Sequence, residues 1–62
     1  APGTGTPEGG GISSKEVLEA LHRLKVLNVV GFDIVEVSPP FDIGDNTSML
    51  AAKILREALL AF

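Results

Sequence analysis

The stretch Val29-Val30-Gly31-Phe32-Asp33-Ile34-Val35-Glu36-Val37 most limits the folds open to this chain. It is rich in β-branched residues and closed by Ser38-Pro39-Pro40, which predicts a strand over residues 29–37. Its apolar residues fall on both alternating faces, with Asp33 and Glu36 as the exceptions. That pattern suits a central strand of a parallel sheet covered by helices on both sides.

A sheet of that kind needs more protein than this chain supplies. Its 62 residues include no cysteine, so neither a disulfide nor a thiolate metal site can reinforce a small core. A chain this short buries only about 60% of the surface its unfolded form exposes. Yet 45% of its residues are hydrophobic and 21% charged, closer to the inner layer of a larger α/β protein than to a free-standing mini-domain. A missing partner surface is expected.

The flanking segments read clearly. Residues 1–12 form a loop, since 1–11 hold five of the seven glycines and two of the four prolines. The abrupt start at Ala1 reads as a truncation point. Ser13-Ser14-Lys15-Glu16 fits a capping box, and Val17, Leu18, Leu21 and Leu24 recur at helical spacing, which predicts a helix over 13–26. A second helix is expected over 46–62, rich in Ala and Leu. Its apolar positions, from Met49 to Phe62, make a surface broad enough to pack on a sheet or another subunit. The order is thus loop–helix–strand–helix, an α/β arrangement.

The formal net charge of −3 argues against a phosphate-backbone binder, so no nucleic-acid partner is expected. No apolar run approaches the roughly 20 residues of a membrane-spanning helix, and no membrane partner is expected. A cytoplasmic location follows as the default expectation.

Among residues able to do chemistry, Glu36 stands out. A carboxylate near the end of a buried strand is costly unless compensated, and ligands of open α/β sheets bind at that end. A guanidinium would match it bidentately; a salt bridge to an Arg or Lys elsewhere in a larger protein explains it equally well. Asp33, three positions earlier, points to the opposite strand face and serves as a supporting carboxylate rather than a catalytic partner. Thr4 and Thr6 can offer hydroxyls to a polar ligand, but Gly3-Thr4-Gly5-Thr6-Pro7 lacks the Gly-Lys-Ser/Thr ending of a phosphate loop. His22 has no second ligand at metal-binding spacing and reads as a surface histidine. Met49 reads as core filler, and Ser13 and Ser14 belong to a helix cap rather than a triad.

Three motifs in order carry a family resemblance: Pro2-Gly-Thr-Gly-Thr-Pro-Glu8, then Gly31-Phe-Asp-Ile-Val-Glu-Val-Ser-Pro-Pro-Phe-Asp42, then Asn46-Thr-Ser-Met-Leu-Ala-Ala-Lys53. Together they resemble the C-terminal segment of the ureohydrolase superfamily of arginases and agmatinases, and the agmatinases more closely. The resemblance implies a three-layer α/β/α parallel-sheet enzyme that hydrolyses a guanidino group to urea and an amine, using hydroxide bridging two manganese ions (Mn2+). It further implies a guanidino small-molecule substrate, agmatine-like, and a homo-oligomer. Carried over by position, Glu36 matches the carboxylate that holds the guanidinium, Thr6 a threonine lining the same cleft, and Asp33 a supporting carboxylate. The family's metal-ligand segments, Asp-Ala-His-x-Asp and Asp-x-Asp, have no counterpart here, so no metal ligand and no catalytic residue is assigned to this chain and the isolated chain is expected to be inactive. Phe41 stands where agmatinases often have Tyr. The rival expectation is a small α/β module without catalysis that survives by self-association.

Overall fold

The computed structural model describes residues 1–62 and contains two α-helices, α1 (Ser14–Leu24) and α2 (Asn46–Ala61), with a single 3-10 turn at Pro39–Phe41 and a tight turn with left-handed residues at Ile43–Asp45 between them. Helix α1 starts as its sequence dictates: the Glu16 backbone N–H donates to Ser13 Oγ, and the Ser13 N–H donates to Glu16 Oε1, each at 3.1 Å. Two otherwise unpaired donors at the helix start are thereby satisfied.

The expected strand over 29–37 is not formed, and the α/β, three-layer parallel-sheet reading is corrected: the protein is helical, without a sheet. The cause is the hydrogen-bonding requirement of a strand, whose backbone groups need neighbouring strands about 4.8 Å away on the ladder. The sequence has one such segment and no second to pair it with. Instead, Val29–Phe32 line a hollow with Leu55, Ala58, Leu59 and Phe62, while Ile34–Val37 line another with Leu50, Ala51 and Ile54. The segment therefore runs along α2 in the opposite direction to the helix. The segment stays largely wet even so, with Val30 91% and Val35 70% exposed.

The two helices pack on each other, yet Leu21 and Ala58 are the only buried hydrophobic residues. The chain has a radius of gyration of 12.4 Å, against about 10.5 Å for a compact domain of this length. It makes 29 backbone–backbone hydrogen bonds, against about 40 in such a domain. Met49 does not fill a core; it is 68% exposed, since of the two surfaces expected to cover its helix, a sheet or another subunit, the sheet is not formed.

The best-buried region is polar. Gly3, Asp42 and Thr47 are three of the five buried residues. Gly44 (φ 69°) and Asp45 (φ 59°) are consecutive left-handed residues, conformations that glycine adopts freely and aspartate tolerates. They turn the chain so that the Asp42 carboxylate caps the start of α2.

Candidate functional site

Glu36 lines a hollow of about 300 Å³ together with Gly3, Thr4, Thr47 and the apolar side chains of α2. It is exposed and has φ 72°. That left-handed conformation is strained for a residue with a long side chain. It lies two residues before Ser38, whose backbone N–H donates to the Gly3 carbonyl at 2.8 Å. The hollow is thus closed on one side by the glycine-rich loop.

Thr6 lies elsewhere. It lines a separate hollow of about 590 Å³ formed by the loop itself, with Pro2, Pro7, Glu8 and Gly9. Thr4 and Ala1 border both hollows, so the loop connects the two regions, but the structure does not bring Thr6 and Glu36 into one cavity. Asp33 is exposed and borders neither of the hollows that the 29–37 segment lines. With no strand, the alternation that set Asp33 and Glu36 on opposite faces does not apply.

Sequence reasoning missed the polar cluster beneath the hollow. Gly3 N–H donates to Thr47 Oγ1 at 2.8 Å, and Thr47 N–H donates to Asp42 Oδ1 at 2.8 Å. Asp42 Oδ2 accepts from Ser48 twice, from its N–H at 2.7 Å and its hydroxyl at 2.6 Å. The Ser48 hydroxyl contributes most to holding the Asp42 carboxyl below the ordinary aspartate range, helped by the backbone N–H groups of Thr47 and Ser48 and opposed by burial. The signal available in the sequence was an aspartate five and six residues ahead of Thr47-Ser48 at a helix start. Nothing local points to Gly3 as the third member.

His22 is half-exposed and sits 3.4 Å from Glu57, which also meets Lys53 at 3.3 Å and Arg56 at 3.7 Å. This ties α1 to α2 at the surface. No group of three or more His, Cys, Asp or Glu side chains is placed to hold a metal ion. The one histidine faces Glu57, and Asp42 is already engaged by three donors. The residues present do not fit a manganese centre.

Residues 1–61 match the arginase family. The chain belongs to that family. Within it, this arginase-family chain is agmatinase- and guanidinase-like. It is 54% identical over 61 residues to the mitochondrial guanidino acid hydrolase of Rattus norvegicus, covering 98% of this chain and 17% of that protein. It is 50% identical over 64 residues to the agmatinase of Bacillus subtilis, covering 100% of this chain and 22% of that protein. With the guanidinopropionase of Pseudomonas aeruginosa it shares 49% over 59 residues, 95% of this chain and 19% of that one. The chain therefore spans about a fifth of the length of its relatives. No solved structure matches it.

The cytoplasmic expectation is corrected by the same relatives, since the rat, mouse and human proteins are named mitochondrial. Net charge and hydropathy carry no address; compartments are set by targeting segments that receptors read. No helix is long and apolar enough to cross a membrane.

Proposed function

We propose that residues 1–62 form the guanidinium-recognition part of a hydrolase that converts an agmatine-like guanidino compound to urea and an amine. Glu36 takes the guanidinium, Thr6 lines the approach and Asp33 supports the segment from outside the hollow. The two manganese ions implied by the family would be held by residues outside this chain.

Glu36 carries the reading. Its carboxylate stands at a hollow bordered by Thr4, Thr47 and the glycine loop, and no cation in the chain pairs with it. A planar cation with paired N–H donors complements such a group, through charge-assisted bonds stronger than those of neutral partners. Relatives named for agmatine, guanidino acids, guanidinobutyrate and guanidinopropionate support the substrate class.

The test is a transplant. Residues 1–62 replace the matching stretch of the Bacillus subtilis agmatinase, and urea release from agmatine is measured with and without Glu36→Gln. The expected result is urea production that falls about 10- to 100-fold in kcat/KM on substitution. Turnover indifferent to Glu36→Gln would reject the assignment.

One observation favours a second reading, a self-associating module without catalysis. Val30, Ile43 and Leu59 are 91%, 90% and 74% exposed, and apolar surface of this extent is commonly covered by a partner. A homo-oligomer satisfies either reading.

A further inference from the structure

We infer that Thr47, held in place by Asp42, is a positioning residue that latches the glycine-rich loop against the Glu36 segment. The inference rests on the guanidinium-binding reading of Glu36.

Residues 1–11 have no helix or strand, and Gly3 is their sole hydrogen-bonded attachment to the rest of the protein. Both of its backbone groups are used. Its N–H donates to Thr47 Oγ1 at 2.8 Å, and its carbonyl accepts from Ser38 N–H at 2.8 Å. A single residue, through the two peptide groups that flank its Cα, therefore bridges α2 to a point two residues beyond Glu36. Thr4, next to Gly3, borders the Glu36 hollow, and Thr6 follows two residues later.

The latch has no slack. A Cβ at Gly3 would lie 2.7 Å from Thr47 Cβ and Oγ1 and 2.8 Å from Asp42 Cβ, so the loop backbone is seated directly on the two side chains. Asp42 accepts from the Thr47 N–H while holding Ser48 with its other oxygen, which fixes the first turn of α2. Thr47 and Asp42 are 7% and 8% exposed, so water does not readily replace the hydroxyl as the acceptor for Gly3. The placement of the loop threonines relative to the Glu36 segment thus rests on two hydrogen bonds at Gly3, of which the one to Thr47 Oγ1 is the only one made by a side chain.

The experiment uses the transplant enzyme and agmatine, comparing Thr47→Val, which keeps shape but cannot accept a hydrogen bond, with Thr47→Ser, which keeps the hydroxyl. Thr47→Val is expected to raise KM about tenfold with kcat within about twofold, and Thr47→Ser to stay near the parent. Partial unfolding cannot imitate this, because it lowers apparent kcat with the amount of active enzyme and leaves KM in place. Asp42→Asn, which loosens Thr47 without removing its hydroxyl, is expected to give a smaller rise in KM. If Thr47→Val yields too little folded enzyme, that variant decides the matter. An unchanged KM in the variant that decides, or a Thr47→Ser defect equal to that of Thr47→Val, overturns the latch. When Glu36→Gln is damaging and Thr47→Val is silent, the latch alone fails; when Glu36→Gln is silent too, the reading of Glu36 fails and the latch falls with it.

Discussion

Asp42 grips Ser48 at two points with a single oxygen, accepting from its backbone N–H at 2.7 Å and its hydroxyl at 2.6 Å. These bonds favour the ionised carboxylate, and with the Thr47 N–H they hold its pKa below the ordinary aspartate range. Folding therefore favours the deprotonated form. The stabilisation is fully present above the pKa of the unfolded chain and is lost as pH falls through the lower native value. Glu16 shifts the same way, chiefly because its carboxylate accepts from the Ser13 backbone N–H. Helix content followed by circular dichroism during acid titration is expected to fall progressively as pH drops from the usual carboxylate range toward the lower native values. Asp42→Asn should lower stability at neutral pH and flatten that acid limb; an unchanged limb would contradict the assignment.

Removing the cap of α1 gives a second expectation. Ser13→Ala deletes the acceptor of the Glu16 N–H and should destabilise the protein by about 1 kcal/mol. Thermal melting checks this, and a variant melting with the parent would show that the start of α1 is not limiting.

Two glycines of the same loop should respond in opposite ways. Gly3→Ala places a Cβ 2.7 Å from Thr47, and overpacking of that kind costs about 1–3 kcal/mol. Gly5→Ala meets nothing within 4 Å and should be neutral or stabilising by up to about 1 kcal/mol through the unfolded chain. Denaturant unfolding of the pair reads the difference directly, and equal midpoints would count against the packing described at Gly3.

The exposed apolar surface predicts association. Sedimentation of the chain over rising concentration should show dimers or larger species. Val30→Lys combined with Leu59→Lys, both bordering one hollow and both exposed, should shift the population to monomer without loss of helix. A chain monomeric at every concentration would remove the self-association reading.

What could be read from the sequence was what is local. The cap at Ser13 and Glu16 lies within four residues, and the helix it starts follows from side-chain spacing alone. The segment 29–37 misled because a β-branched apolar run records the surroundings a chain suits, not whether those surroundings exist; strand formation needs partners that residues 1–62 do not contain. The link from Gly3 to Thr47 spans 44 positions, and neither residue's neighbours hint at the other. Glu36 was singled out from its chemistry, whereas its left-handed backbone was not visible, since that depends on how the chain turns toward Ser38.

That backbone sets two demands against each other at one position. With φ 72°, residue 36 would be more comfortable as glycine, by about 1 kcal/mol or more. Glycine, however, would remove the one carboxylate at the hollow. Selection for robustness alone would favour discarding the side chain, and selection for recognising a cation would favour keeping it. On the proposed role of Glu36, Glu36→Gly should therefore yield a sturdier protein that no longer grips guanidinium, and a protein relieved of strain in this way would have become a scaffold.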